Sequence, residues 1–391
     1  MTRTPAKAVL VAGTRPNFMK IGPLLRAIES SNSLDPAALM AAVLVHTGQH
    51  YDYQMSQVFF EDMGIPPPDH YLGVGSGSHA EQTAATMTGL DPVLSVERPD
   101  ILVVVGDVNS TLGAALTAVK RHVPVAHVEA GLRSYDRSMP EEINRVLTDA
   151  VSDYLFTPDA KADENLLREG IPRERVFRVG NIMVDSLLHV RQRVERSSVL
   201  QSLHLRAGEY AVLTLHHADS VDSEANLRSV AAAVGELSSR TRVVFPCHPR
   251  TRKNIARFGL ERLFGLTAEP ARDGTPGEGG LITTAPLGYV DFISLLMRAR
   301  LVLTDSGGIQ TEAVVLGVPC LVTREATAWQ ALVDQGTNVV TGYDPQRIVA
   351  EATAILEGRQ PPRAYPELWD GHTAERVMDV LRNRLGLGRQ A

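Results

Sequence analysis

Short apolar runs alternate with amphipathic stretches along this chain. Ala8–Ala12, Ala41–Val45, Ile101–Val105, Val123–Val128 and Tyr154–Thr157 read as strands. Segments 20–31, 51–63, 79–89, 110–121 and 140–150 read as the helices between them. A second series starts near residue 205, with strands Tyr210–Leu215, Arg242–Pro246, Leu301–Thr304, Pro319–Val322 and Asn338–Val340. Segment 181–196 helps to connect the two series, and 269–280 reads as a polar loop. No repeat of solenoid length is present. Alternating strands and helices predict α/β architecture with doubly wound parallel sheets. Two Rossmann-like domains are expected, 1–180 and 181–370, facing each other across a cleft that suits a ligand.

Length agrees with that division, because 391 residues exceed one ordinary core. The chain is 44% hydrophobic and 21% charged, as in a soluble globular protein. A net charge of −6 without a basic cluster argues against a general nucleic-acid binder. Apolar runs stay far below the roughly 20 residues that span a bilayer, so no membrane partner is expected. The first residues lead directly into a strand and lack a signal-peptide apolar region. Cys247 and Cys320 both lie in apolar strand contexts, which favours buried reduced thiols and a cytoplasmic location. No His/Cys/Asp spacing makes a convincing metal set.

The candidate chemistry lies just past strand ends, where open parallel sheets bind ligands. Asp107 closes Ile-Leu-Val-Val-Val-Gly-Asp, Glu129 follows Val123–Val128, and Glu141 opens a helix in Pro-Glu-Glu-Ile-Asn-Arg at 140–145. Three such carboxylates suit acid/base work. Bland readings exist for two of them. Ser138–Glu141 fits a capping box, and Glu141 can pair with Arg145 four residues on. Asp107 can cap the helix after Asn109. Glu129 is harder to dismiss, since an unpaired carboxylate buried at a strand end is costly.

The first strand–helix turn, Gly13-Thr14-Arg15-Pro16, is not G-x-G-x-x-G, and no such fingerprint occurs elsewhere, which weighs against a tightly held dinucleotide. Arg15 and Lys20 are placed to reach an anion, or Pro16 simply opens a solvated helix start. Thr304-Asp305-Ser306-Gly307-Gly308 is the stronger anion signal. Small residues there expose backbone N–H groups at a helix N-terminus, although plain capping by Asp305 or Ser306 is the alternative. Glu312, about one and a half turns further, is a candidate acceptor from ribose hydroxyls. His216 and His248 both follow strands, as anion partners or as surface or capping residues.

Taken together, these motifs closely resemble those of the non-hydrolysing UDP-N-acetylglucosamine 2-epimerases. The shared elements are Gly-Thr-Arg-Pro…Lys at 13–20, His-Thr-Gly-Gln-His at 46–50, Gly-Asp at 106–107 and His-Val-Glu-Ala-Gly-Leu-Arg at 127–133. Pro-Glu-Glu-Ile-Asn-Arg at 140–145, Gly-Asn at 180–181, His216, His-Pro at 248–249 and Asp-Ser-Gly-Gly-Ile-Gln at 305–310 continue the series, with Glu312 after it. The resemblance implies a GT-B-like pair of domains, with a C-terminal segment 371–391 whose helix, near 373–385, packs back on the first domain. It gives Asp107, Glu129, Glu141 and His216 the catalytic work. It gives Arg15, Lys20, Gln49, His50, Arg145, His248, Ser306, Gly307, Gly308 and Glu312 the UDP-sugar contacts. It implies no cofactor, a homodimer, and interconversion of UDP-N-acetylglucosamine and UDP-N-acetylmannosamine through a 2-acetamidoglucal.

Three positions depart from the family pattern. His217 stands where the family has Arg, Thr311 replaces one of two glutamates, and Ala328-Trp329-Gln330 replaces Glu-Arg-Pro. The first bears on a second, activating UDP-sugar site and the last on rate or sugar preference. The rival readings are a hydrolysing relative that releases UDP and free N-acetylmannosamine, a GT-B glycosyltransferase, and a catalytically weakened UDP-sugar-binding relative.

Overall fold

The computed structural model describes residues 5–35, 39–48, 60, 63–266, 280–362 and 364–387. The chain divides into two compact units, Met1–His189 with Pro366–Ala391, and Val190–Tyr365.

The first unit carries strands β1 (Ala6–Ala12), β2 (Met40–His46), β3 (His70–Tyr71), β4 (Ile101–Val105), β5 (Val125–Val128), β6 (Tyr154–Thr157) and β7 (Val176–Arg178). They form one parallel sheet in the order β3-β2-β1-β4-β5-β6-β7. Its helices are α1 (Arg15–Leu34), α2 (His79–Glu97), α3 (Asn109–Lys120), α4 (Pro140–Val151) and α5 (Ala160–Arg168), and α6 (Ile182–Arg196) begins in it. All five residues of β4 are buried, as expected for a central strand covered on both faces. Val9, Val11, Leu102 and Val104 pack against Leu90 and Leu94 of α2 and Ala114, Ala115 and Ala118 of α3. After β1 the strands progress to one side, and from β4 to the other. This reversal opens a crevice at the C-terminal ends of β1 and β4.

The second unit repeats the plan with β8 (Tyr210–Thr214), β9 (Arg242–Pro246), β10 (Leu281–Thr284), β11 (Leu301–Thr304), β12 (Cys320–Val322) and β13 (Asn338–Val340). The order β10-β9-β8-β11-β12-β13 is again parallel, with its reversal between β8 and β11. The helices that matter here are α7 (Glu224–Ser238), α8 (Pro249–Arg257), α9 (Tyr289–Met297), α10 (Gly307–Leu316) and α11 (Pro345–Leu356). Its core is built from Leu213, Val230, Val234, Val243, Phe245, Phe264, Leu303 and Ile348.

Helix α12 (Thr373–Arg384) belongs to the first unit, where Arg382 binds Ser31 and, at 3.4 Å, Asp35 at the end of α1. The units part at His189/Val190, inside α6, and again at Tyr365/Pro366, whereas the sequence divided them at 180/181 and 370/371. Strands β3, β7 and β10 escaped sequence reading because they are two to four residues long and partly polar. Helix α2 runs through Pro92 to Glu97, beyond the expected end at 89, because Leu90, Val93 and Leu94 bury its last turns. The expected helix 51–63 and loop 269–280 lie almost wholly outside the described residues. No helix among the described residues is long and apolar enough to cross a membrane.

Candidate functional site

In the first unit, the crevice between β1 and β4 starts at Gly13. A Cβ there would lie 2.2 Å from Ser110 Oγ, so only glycine fits. Asn17 then ties the two strand ends together. Its Oδ1 accepts from the Gly13 and Thr14 N–H groups at 3.2 and 3.0 Å, and its Nδ2 donates to the Val105 carbonyl at 3.0 Å. One turn on, the buried Lys20 makes an ion pair with Glu129. A Cβ at Gly106 would lie 2.9 Å from Lys20 Nζ, and Gly106 itself has φ +66°. The sequence thus clears a path for the ammonium to reach the carboxylate.

Glu129 adopts φ +74°, the left-handed region that costs a non-glycine residue roughly 1–3 kcal/mol. Its N–H and that of Ala130 both donate to the Phe156 carbonyl, at 3.0 Å each, which holds the turn against that cost. Backbone strain of this kind at a strand-end carboxylate points to a functional site.

Asp107 forms an ion pair with Arg145. Arg145 is 4% exposed and also donates to Glu142 Oε2 from Nε at 3.1 Å and Nη2 at 2.7 Å. Burial alone would lower the affinity of this guanidinium for its proton, but the carboxylates around it raise its pKa further. Glu142 in turn accepts from the N–H groups of Ser134 and Tyr135, both at 2.9 Å. Burial pushes Glu142 up, yet the Ser134 amide and Arg145 outweigh it and leave its pKa lowered. Asn144 fixes the Asp107 backbone by donating to its carbonyl at 2.9 Å.

This arrangement corrects three expectations. Helix α4 is capped by the Met139 backbone without a side-chain bond, so Ser138 and Glu141 form no capping box. Helix α3 begins after Val108, and Asp107 does not cap it. Arg145 pairs with Asp107 and Glu142 in the interior, not with Glu141 on the surface. Glu141 is partly exposed in the first turn of α4, with no hydrogen-bond or ion-pair partner among the described residues.

Behind Glu129 lies a buried network that the sequence reading missed. His127 places Nδ1 2.7 Å from Asp149 Oδ1 and Nε2 2.8 Å from the Gly106 carbonyl. Asp149 also binds Arg133 at 2.7 Å and accepts from the Gly131 N–H at 3.0 Å, while Arg133 grips Glu169 with two bonds. Burial would raise the Asp149 pKa, but His127 and Arg133 reverse that and lower it. A signal existed: Glu142, Arg145 and Asp149 are spaced three and four apart, which sets all three on one face of α4.

In the second unit, the reversal between β8 and β11 gathers His216, His217 and the 305–308 turn. Asp305 is fully buried, and its Oδ2 accepts from the N–H groups of His216 and His217 at 2.8 and 2.9 Å. Its Oδ1 lies 3.2 Å from His216 Nδ1. So Asp305 holds the β8 loop rather than capping α10, whose N-cap Ser306 makes no side-chain capping bond. The first-turn N–H groups at Gly307 and Gly308 are therefore not taken by a side-chain cap, as an anion site requires.

Glu312 is buried, with Oε1 accepting from the Tyr289 hydroxyl at 2.9 Å. The buried Trp329 lies against the same turn: a Cβ at Gly307 would be 3.3 Å from its Nε1. Thr327 anchors this stretch by donating to Gln310 Oε1 at 2.7 Å. Arg15 is exposed at the start of α1. His248 is exposed and caps α8, its Nδ1 accepting from Arg250 N–H at 3.3 Å. Gln49 and His50 lie outside the described residues. Among the described residues, no group of three or more His, Cys, Asp or Glu is arranged to hold a metal ion.

A family model described as UDP-N-acetylglucosamine 2-epimerase matches residues 32–382. The chain is 37% identical over 380 residues to the UDP-N-acetylglucosamine 2-epimerase of Methanocaldococcus jannaschii, covering 96% of this chain and 98% of that protein. It is 41% identical over 353 residues to the UDP-2,3-diacetamido-2,3-dideoxy-D-glucuronate 2-epimerase of Pseudomonas aeruginosa, covering 90% and 92%. The crystal structure of the Methanocaldococcus jannaschii UDP-GlcNAc 2-epimerase in complex with UDP-GlcNAc and UDP is similar with a TM-score of 0.86 at 37% identity, over 96% of this chain and 99% of that one. The two parallel-sheet domains are thus of the GT-B-like kind found in those epimerases.

Proposed function

The chain belongs to the UDP-N-acetylglucosamine 2-epimerase family, and from that premise we propose that it interconverts UDP-N-acetylglucosamine and UDP-N-acetylmannosamine without net hydrolysis. One observation carries the reading: three carboxylates, Asp107, Glu129 and Glu141, follow the neighbouring strands β4 and β5 of one parallel sheet in different surroundings, the first two ion-paired and the third not. The C2 hydrogen is not beside a carbonyl, so simple enolisation is not available. Elimination is. The C1–O bond breaks and its electron pair leaves with UDP. A carboxylate takes the C2 proton, and the C2–H electrons form the C1–C2 double bond of a 2-acetamidoglucal. UDP then adds back at C1 while a proton returns to the other face of C2. No water is consumed.

The geometry supports a division of labour. Lys20 stands on Glu129 and Arg145 on Asp107, whereas Glu141 makes no ion pair among the described residues and feels Arg145 only at longer range. We assign removal of the C2 proton to one of the cation-paired acids and delivery to the opposite face to Glu141, the two roles exchanging in the reverse direction. His216 with the Ser306–Gly308 turn takes the departing diphosphate. Glu312, oriented by Tyr289, takes the ribose. Arg15, Lys20, Arg145, His248, Gln49 and His50 complete the proposed UDP-sugar contacts, with Arg145 acting through Asp107. No cofactor or metal enters the scheme. We place the protein in the cytoplasm, in keeping with two free buried thiols.

Incubation with UDP-N-acetylglucosamine in D2O, followed by proton NMR, tests the route. Deuterium is expected at C2 of both epimers. Retained hydrogen at C2 overturns the elimination, and accumulation of UDP with free N-acetylmannosamine identifies a hydrolysing enzyme.

A second reading concerns the sugar. The relative from Pseudomonas aeruginosa acts on a 2,3-diacetamido glucuronate, and Trp329 stands here where the resembled family carries Arg. The same chemistry on that sugar is the alternative. Comparing kcat/KM for the two UDP-sugars decides between them.

A further inference from the structure

Asp305 is fully buried at the end of β11, yet nothing in the reaction described above uses it. Its two oxygens face the His216–His217 pair. Oδ2 accepts the N–H groups of His216 and His217, and Oδ1 lies 3.2 Å from His216 Nδ1. A buried carboxylate with a lone acceptor role is costly unless paired with a cation or with several donors. Here it has both. The backbone bonds fix where His216 sits, and the charge contact at 3.2 Å sets its Nδ1 edge beside Oδ1. The opposite ring nitrogen, Nε2, is left on the edge away from Asp305, and the His216 side chain is 43% exposed.

We propose that Asp305 is a positioning residue that holds His216 in place and lends its ring a counter-charge, so that Nε2–H meets the diphosphate as the C1–O bond breaks. This deepens the epimerase reading and rests on it. No covalent bond to His216 is involved. The electron pair of the C1–O bond goes to the diphosphate, and the imidazolium supplies a charge-assisted hydrogen bond to it.

The surroundings set the sign of the pH dependence. Burial disfavours the imidazolium, and Arg324 and Arg250 add repulsion, but Asp305 outweighs them and the His216 pKa is raised above 6.5. Arg324 is offset by Asp219 and Arg250 by Asp222, both ion-paired. The His217 ring lies 5.0 Å from that of His216, and Tyr343 is held by Ser220 at 3.2 Å. Burial would raise the Asp305 pKa too, but His216 and His217 drive it well below the usual carboxylate range, so the carboxylate stays charged throughout. UDP affinity should therefore be full below the His216 titration and fall as pH rises through it.

The test uses the full chain and UDP itself. The wild type, Asp305→Asn and His216→Gln are compared by calorimetry with UDP across pH 5.5 to 9 (roughly the range in which histidine titrates). UDP's terminal phosphate titrates near ~6 in every sample and cancels between variants. The expected result is a falling limb above pH ~6.5 in the wild type. The limb should move to lower pH in Asp305→Asn and vanish in His216→Gln. At pH 7.5 Asp305→Asn should bind UDP roughly tenfold more weakly. The His216 ring-proton resonance, followed by NMR without ligand, should titrate at lower pH in Asp305→Asn.

An unmoved resonance and limb in Asp305→Asn overturn the proposal. If Asp305→Asn fails to fold, a limb that persists in His216→Gln overturns it instead. If UDP binds no sample at any pH, the nucleotide reading of the site is what fails.

Discussion

Glu129 sits in a backbone conformation that non-glycine residues adopt at a cost, and Lys20 reaches it through the space that Gly106 leaves open. Side chains held this way are placed for chemistry rather than for packing. Asp107→Asn, Glu129→Gln and Glu141→Gln should each lower kcat by at least ~10²-fold, the scale of lost acid/base groups. Glu141→Gln should leave the melting temperature nearly unchanged, because α4 is capped by Met139 without a side-chain bond. Near-normal turnover in Glu141→Gln would remove it from the mechanism.

The second residue-scale prediction rests on His217, whose N–H is already committed to Asp305. In the resembled family an Arg at this position contacts a second, activating UDP-sugar. Histidine is shorter and cannot offer Arg's charged fork. One lost charge-assisted contact costs about 1.5–3 kcal/mol, roughly tenfold or more in affinity. Pure UDP-N-acetylmannosamine should therefore react from the start, with hyperbolic kinetics. A lag relieved by a trace of UDP-N-acetylglucosamine would show that activation persists.

At the scale of elements, α4 does two jobs. Its first turn presents Glu141, and its inner face carries Glu142, Arg145 and Asp149 into the interior. Asp149 is the anchor of the turn that holds Glu129, through His127, Gly131 and Arg133. Asp149→Ala would leave the buried Arg133 to Glu169 alone and His127 without its carboxylate, and should cost about 1–3 kcal/mol, measured by denaturant unfolding. The pH dependence follows from the lowered pKa values of Asp149 and Glu142. Groups of this kind add stability above the ordinary carboxylate pKa, and that stability is lost as pH falls through their lower folded values. Thermal melts between pH 7 and 3 should show this loss, and Asp149→Asn should flatten it. Helix α10 works differently, since the bond that a cap would have made goes elsewhere and its glycines stay open at the N-terminus.

Across the whole molecule, each unit puts part of its candidate set at its own reversal of strand order, Lys20 and Asp107 between β1 and β4, His216 and the 305–308 turn between β8 and β11. The first unit also has an open groove of about 600 Å³ lined in part by Ala80, Ala84, Met87, Pro140 and Ile143 of α2 and α4. Val146 and Leu147 lie exposed further along α4. Apolar surface of this kind suits the homodimer that the family resemblance implies. Light scattering should give twice the 42.4 kDa chain mass, and Met87→Glu should shift the value toward one chain. A monomer at micromolar concentration in the wild type would refute it.

Much of this was legible in the chain because periodicity and turn chemistry are local. The strands Ile101–Val105, Tyr154–Thr157, Arg242–Pro246, Leu301–Thr304 and Asn338–Val340 have the bounds their apolar runs predict. Asp107, Glu129 and His216 were found because they interrupt apolar runs at strand ends, where sheets bind ligands. The partners of those residues were not legible. Arg145 reads as a surface mate for Glu141 four residues away, yet it turns inward to Asp107, 38 residues earlier in the chain. Local spacing offers Asp305 only a helix cap as the alternative to an anion turn, yet it holds His216, 89 residues away. Local spacing fixes which side chains share a helix face or strand end. Only the packed sheet, which brings distant strand ends within hydrogen-bond reach, decides which charge answers which.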